Sequence, residues 1–511
     1  MIKEFKDIKS NVNEVADVCV IGTGAGGAVI AKELSEKGLN VVVLEEGSHF
    51  THRNYNQDPA KMMAMMYRDS ATTVAFGVPP VSLTLGKCIG GTTTINSATC
   101  FRTPEKVVID WAEHHDCKGL NYRDLQPFLE KVEDEINVTE LPDDILGNVF
   151  KVVKRGASKL GLKAKPLHHN VKNCEGAGAC QWGCVKNAKQ STDISYLPKA
   201  VGFGAQIYAN CKATKLVVES GRVRAVKGYV INPETGKKNF SVTVRANIVC
   251  LAMGSLITPA FLLRQRLANF SGMVGRGLTI HPCGRVVAEM DEVINGHHGV
   301  SQGGKIDAFE DEGIMLEGIF IPPGILSMAL PGVGEDIKHL AKNYSKLAAF
   351  GVQVKDSTRG RVFPSVVGGS PYTAWYSINR TDIEKIRKGI GHICEIFLSA
   401  GAKRVFTGCY KMPVVKSRKD LTRFCNMKIK PWYFELVAFH PLGTCRMGNN
   451  PLTSVVDLNL ESHDIKGLFI PDGSPVPTAL GVNPQITIMA LATKTAEYIV
   501  ANFAKYNECR L

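Results

Sequence analysis

The clearest hydrophobic pattern in this chain is an unbroken apolar run, Val18-Cys-Val-Ile21, with no polar alternation. Such a run reads as a parallel strand buried on both faces. Glycines follow it, and then Ala28, Ile30, Ala31 and Leu34 give an apolar helical face, with Gly38 placed as the helix stop. A second apolar strand, Val41 to Leu44, ends in Glu45. Similar strand patterns return between 205 and 260, where Asn247-Ile-Val-Cys-Leu-Ala-Met-Gly254 leads into a helix at Thr258-Pro259. Near the end, Pro484 opens a helix carrying Ile486, Ile488, Met489, Leu491 and Ala492. The region between alternates instead, as in Leu347-Ala-Ala-Phe-Gly-Val-Gln-Val354, and holds a helix candidate from Ile383 to Ala400. At 511 residues the chain exceeds one simple core. The pattern predicts an α/β fold with a discontinuous Rossmann-like unit built from 1–110, 195–282 and 438–511. Residues 111–194 and 283–437 would then form an α+β unit with an antiparallel sheet.

The glycines of Gly22-x-Gly24-x-x-Gly27 stand between the first strand and its helix. Gly22 permits the tight turn, Gly24 lets the backbone approach a pyrophosphate, and Gly27 lets helix and strand pack closely. Glu45 falls 18 residues after Gly27, where a carboxylate accepts hydrogen bonds from ribose hydroxyls and repels a 2′-phosphate. This complete unit points to a dinucleotide and leaves FAD and NAD open. Gly86-Lys-Cys-Ile-Gly90-Gly91-Thr92-Thr-Thr-Ile-Asn96 is a second glycine-rich loop whose amides can approach a ring or phosphate. His440-Pro-Leu-Gly-Thr-Cys-Arg-Met-Gly448 is followed by Asp472-Gly473 and Gly481-Val-Asn483-Pro484-Gln485. An imidazole of ordinary pKa ~6.5 can take an alcohol proton near neutral pH, and an asparagine can orient the hydroxyl. His281-Pro282 looks superficially similar but has no downstream partner, and it reads as structural.

In the order and spacing of four motifs, Gly22–Glu45, Gly86–Asn96, Gly254–Pro259 and His440–Gln485, the chain resembles the glucose–methanol–choline oxidoreductases. These are FAD-dependent enzymes acting on alcohols. It looks most like the bacterial branch near the long-chain alcohol oxidases, through Cys100-Phe-Arg-Thr-Pro104 and Lys189–Pro198. Cys100 itself and Arg264-Gln-Arg266 depart from the usual family pattern. The resemblance implies a catalytic pair, His440 and Asn483. It also implies FAD contacts at Gly22, Gly24, Gly27, Glu45, Gly90, Gly91, Thr92 and Asn96, with Ala213, Asp472, Gly473 and Pro484. The helix after Pro484 would aim its positive end at the pyrimidine side of the flavin and stabilise the anionic reduced ring. Cys174, Cys180 and Cys184 resemble the three-cysteine iron–sulfur loop of some bacterial sugar dehydrogenases in the family. Packing thiols and a zinc site completed by His168 or His169 are the alternatives.

Composition narrows the picture without deciding it. Hydrophobic residues make up 44% and charged residues 21%, as in a globular protein. No apolar run reaches the ~18 residues of a spanning helix. The opening Met-Ile-Lys-Glu-Phe-Lys-Asp lacks the form of a secretory leader, and fifteen cysteines suit a reducing compartment, so a cytoplasmic protein is expected. The net charge is +13, and residues 380–430 hold 13 Lys or Arg against four acids. No nucleic-acid motif accompanies that charge. It reads as a solvated face, or as a docking site for an acidic electron carrier or an anionic membrane. Met62, Met63, Met65 and Met66 could be ordinary core or an adaptable wall for a greasy substrate. The expected reaction is oxidation of an apolar long-chain alcohol or a sterol, with oxygen, a quinone or a protein as acceptor. The alternatives are a dehydrogenase subunit passing electrons through an iron–sulfur cluster, a flavin-binding electron-transfer subunit, and flavin-assisted lyase or isomerase chemistry.

Overall fold

The computed structural model of the chain describes residues 1–319, 322, 330, 333–366 and 369–507. It has an N-terminal Rossmann-like unit and an α+β unit with a mixed, largely antiparallel sheet. The first sheet has eight strands and is centred on Val12–Ile21 and Val41–Leu44, which pair in parallel. Gln206–Tyr208 extends it on one side and Lys238–Leu251 on the other, again in parallel. Val18, Cys19 and Val20 are fully buried, which explains the absence of polar alternation there. The helix Ala25–Glu36 follows directly and packs against the helix Gln485–Asn502. Gly38 closes the first helix at φ +83°, its N–H bonded to the Ser35 carbonyl.

Lys238–Leu251 carries two kinds of neighbour. Its first part pairs antiparallel with Arg222–Ile231, which pairs in turn with Cys211–Glu219. Its last residues pair in parallel with Leu468–Phe469, more than 200 residues away.

The second sheet has thirteen strands. At its centre Leu436–Ala438, Cys283–Glu289, Leu347–Val354 and Ile314–Gly318 lie side by side. Register sets Val437 opposite Cys283, and Arg285 opposite Gly351, which faces Glu317 on its other side. Side chains alternate along strands, so Cys283, Arg285 and Glu317 project from one face. The helix Arg380–Ala400 covers the other face. A Cβ on Gly389 would fall 2.3 Å from Val352, so glycine is what lets helix and sheet approach. The Asn379 side chain caps this helix by accepting from the Asp382 N–H at 2.8 Å, and Gly401 ends it at φ +100°. Val74–Phe76 and Val81–Leu83, inside the 1–110 stretch, pair in this second sheet. A smaller sheet of three strands joins Thr99–Cys100, His168–Asn170 and Val138–Glu140. No helix among the described residues is long and apolar enough to cross a membrane.

Candidate active site

A cavity of about 520 Å³ lies between the two sheets. One end is the glycine turn. Gly22 has φ +102°, and a Cβ there would fall 2.3 Å from the Ala252 carbonyl oxygen. Gly27 has the same constraint against the Gly22 carbonyl at 2.0 Å, so it packs the helix and does not face the cavity. Gly24 differs: a Cβ there would meet no protein atom within 4 Å, because it points into the cavity. Gly26, which the motif reading passed over, is the tightest of the four, with a Cβ 1.6 Å from the Pro471 carbonyl oxygen. The Gly-Gly pair in the sequence was the available signal.

Glu45 sits at the cavity wall and is already bonded. It accepts from the Thr23 N–H at 3.0 Å, the Thr23 hydroxyl at 2.7 Å and the Gly47 N–H at 2.8 Å. Burial still raises its pKa above the ordinary carboxylate value. The Thr23 hydroxyl also accepts from the Gly90 N–H at 3.0 Å, so Gly90 ties the second glycine loop to the first without lining the cavity. Gly91, Thr92, Asn96, Ala213, Asp472, Gly473 and Pro484 do line it. Asp472 accepts from the Gly254 N–H, the Thr258 hydroxyl and the Ser474 N–H at 2.6–2.8 Å, which locks its carboxylate in place. Asn96 donates to the Gln485 side chain at the start of the last long helix.

At the other end the cavity is lined by His440 and Asn483. His440 follows the strand Leu436–Ala438, and Asn483 comes two residues before the helix Gln485–Asn502. The buried atoms His440 Nδ1 and Asn483 Oδ1 have no hydrogen-bond partner. Buried polar atoms are rarely left so, and both belong to residues that line the cavity. Desolvation pushes the His440 pKa down to about 4. His281 packs edge-on to His440 with ring centroids 5.4 Å apart. Its Nε2 accepts from the Gly481 N–H at 2.9 Å, so it holds the loop leading to Asn483. It stands in the left-handed region at φ +49°, fixed by Asp356, which accepts from the Ile280 and His281 N–H groups and the Tyr376 hydroxyl.

The second sheet supplies polar groups that no motif announced. Arg285, Gln302 and Glu317 line the cavity. Arg285 is paired with Glu435 at 2.5 Å. Glu317 is 5% exposed, its Oε2 has no hydrogen-bond partner, and burial raises its pKa to about 7. The signal in the sequence was one acid inside the apolar strand Ile314-Met-Leu-Glu-Gly318. Most of the remaining lining is apolar, including Met63, Trp182, Phe261 and Phe439. Met62 and Met66 instead pack into a small core with Tyr67 and Trp182.

The three-cysteine loop corrects an expectation. Among the described residues no group of three His, Cys, Asp or Glu side chains is placed to hold a metal. Cys174, Cys180 and Cys184 are not brought together as a ligand set in this structure, and packing thiols is the reading it fits. Burial raises the pKa of Cys174 and pushes that of Cys180 to about 11, which keeps both as thiols. The loop is organised around Lys189. Its ammonium donates to the carbonyls of Thr94, Asn96 and Cys180 at 2.6–3.0 Å. That bridge fastens the loop to the second glycine motif and brings Gln181 and Trp182 to the cavity wall.

Comparison with known proteins follows the same lines. The family described as GMC oxidoreductase matches residues 63–283 and 362–492, and an NAD(P)-binding Rossmann-like domain matches 20–67. An uncharacterized GMC-type oxidoreductase of Mycobacterium tuberculosis is 32% identical, over 95% of this chain and 76% of its own length. A long-chain-alcohol oxidase of Arabidopsis thaliana is 28% identical, over 93% of this chain and 65% of its own length. Among solved structures, pyridoxine 4-oxidase from Mesorbium loti has a TM-score of 0.71 at 17% identity, covering 95% of this chain and 99% of that one. That likeness shows the shared fold.

Proposed function

The chain belongs to the GMC oxidoreductase family and is an FAD-dependent oxidoreductase, and from that premise we propose that it oxidises the CH–OH group of an apolar alcohol to the carbonyl. The observation that carries this reading is that His440 and Asn483 line one cavity with the glycine cradle, each with a buried polar atom left unpartnered. The cradle fits the dinucleotide: the space beyond Gly24 is open, and Glu45 and Asp472 are held rigid. Bound FAD supplies the hydride acceptor. In this reading the eight-stranded sheet and its helices carry the cofactor, and the thirteen-stranded sheet forms the substrate cap.

The roles of the side chains follow from their chemistry. His440, with its depressed pKa, is neutral at neutral pH and keeps a lone pair for the alcohol proton. Asn483 has no basic atom and orients the hydroxyl by hydrogen bonding. The start of the helix Gln485–Asn502 lies at the cavity and favours negative charge there as the alcohol is oxidised.

The apolar lining and the long-chain-alcohol oxidases among the relatives support a long-chain or sterol-like substrate. The fourteen described cysteines are all free, which supports a reducing, cytoplasmic setting. The test is an anaerobic visible spectrum of the flavin-loaded protein titrated with alkanols of rising length and with a sterol. Bleaching of the flavin band that quickens with chain length is the expected result. A flavin that dithionite bleaches and no alcohol does would overturn the reading. Admitting air or a quinone afterwards identifies the acceptor.

A further inference from the structure

The basic window noted in the sequence divides into two unlike halves. In the helix Arg380–Ala400 three of the four cations are paired: Lys385 with Asp382, Arg387 with Glu384, and Lys388 with Glu312. Lys403 and Arg404 are paired with Asp291 and Glu289. Beyond them, residues 405–434 hold Lys411, Lys416, Arg418, Lys419, Arg423, Lys428 and Lys430 against a single acid, Asp420. All seven are exposed, and none forms an ion pair with a described carboxylate. The helix Arg418–Asn426 explains part of this. It is capped by Ser417 and buries Leu421 and Phe424, which turns Arg418, Lys419 and Arg423 outward.

Aromatic side chains stand in the same surface. Tyr410 is 68% exposed and Trp432 54% exposed, and the Tyr410 N–H bonds the Tyr433 carbonyl at 2.7 Å. The surface is tied to the cavity. Glu435, two residues past Tyr433, bonds the Gly408 carbonyl through its N–H and holds Arg285, which lines the cavity, by an ion pair. The exposed Phe439 lines it too.

We propose that residues 405–434 dock the protein on an anionic lipid bilayer, with the substrate cavity beside the contact. Unpaired lysines and arginines are drawn to the negative leaflet surface, and Trp and Tyr rings settle at the headgroup layer. The same ingredients could serve a nucleic acid through base stacking. Here one face of Trp432 is already covered by the Lys430 ammonium, 5.0 Å from the ring centroid, which leaves a poor stacking platform. The proposal rests on the reading of the substrate as a lipophilic alcohol, which would reach the cavity from the bilayer.

The experiment uses the flavin-loaded full chain and no substrate, so it is read independently of the reaction. The protein is sedimented with vesicles of phosphatidylcholine alone, or of phosphatidylcholine mixed with phosphatidylglycerol, at low and high salt. Binding to the anionic vesicles only, weakened by salt, is expected. The triple variant Lys416→Glu, Lys419→Glu, Arg423→Glu should lower that partition by at least ~100-fold, since each surface cation contributes roughly a factor of five. Trp432→Ala should weaken it by a smaller factor, with flavin content unchanged in both variants. Equal binding to the two vesicle types, no binding to either, or undiminished binding by the triple variant would overturn the proposal. So would retention on a single-stranded oligonucleotide at a salt concentration that releases the protein from anionic vesicles.

Discussion

The two walls of the cavity satisfy their polar groups differently. On the Rossmann side Glu45, Thr23 and Asp472 spend their hydrogen-bonding capacity on one another and on backbone N–H groups. Around the rest of the cavity Glu317 Oε2, His440 Nδ1 and Asn483 Oδ1 are buried without partners. A wall whose bonds are already made offers a fixed shape. A wall with unmade bonds is left incomplete until a ligand arrives, and each such atom costs stability. The first arrangement suits a cofactor that is held throughout, the second a substrate that comes and goes.

The sharpest break in that comparison is at the glycines. Gly26→Ala drives a Cβ into the Pro471 carbonyl and should prevent folding, seen as loss of soluble protein. Gly24→Val should fold normally by circular dichroism yet purify without flavin, because its side chain enters cavity space alone. Flavin retained by Gly24→Val would show that this turn does not hold the dinucleotide.

His440→Ala should keep its flavin and reduce it at least ~100-fold more slowly, measured by anaerobic stopped flow. The pH dependence sharpens the point. His440 accepts a proton only while neutral, and it becomes charged only below about pH 4. The limb of kcat/KM that it controls should therefore fall as pH drops through about 4, not near 6.5. An unchanged reduction rate in the variant would remove this histidine from the chemistry.

The smallest expected effect concerns the incomplete wall. The Glu317 carboxyl keeps its proton in the folded chain up to about pH 7, whereas an ordinary glutamate loses it near 4.5. Between those values the unfolded chain binds fewer protons, so this group's contribution to stability is intact at low pH and declines as pH rises through 7. Glu317→Gln removes the decline and should raise stability at pH 8 by at most about 3 kcal/mol, with little change at pH 4. Thermal melts of both proteins at the two pH values check this. A variant less stable than its parent at pH 8 would show that the carboxylate has a partner in solution.

Local patterns carried much of this into view. The turn from Val18 to Glu45 is legible because its apolar runs, glycines and acid all lie within one strand–helix–strand stretch, although Gly22 and Gly26 pack on the distant Ala252 and Pro471. The Arg380–Ala400 helix was legible from its spacing. Val81–Leu83 was legible as a strand, but its sheet was not, since its neighbour is Leu436–Ala438, far along the chain. Glu317 was hidden for a related reason. An acid in a short apolar strand reads as the solvent-facing position, and only the register against Gly351 turns it inward. In the three-cysteine loop, spacing suggested convergence of thiols, while the buried Lys189 decides where the backbone goes.

The divided strand Lys238–Leu251 has a consequence in time. Its far end pairs with Leu468–Phe469, and Asn96 finds its partner only at Gln485. On the ribosome, Glu45 emerges 438 residues before Asn483. At roughly 5–20 residues per second, about 20–90 s of synthesis separate the two. The nascent chain therefore carries a turn without its Pro471 support and an open sheet edge for most of its manufacture. Flavin capture belongs to the last moments of translation or after it, and cells short of FAD would accumulate a chain whose pairing with Leu468–Phe469 is the least secured.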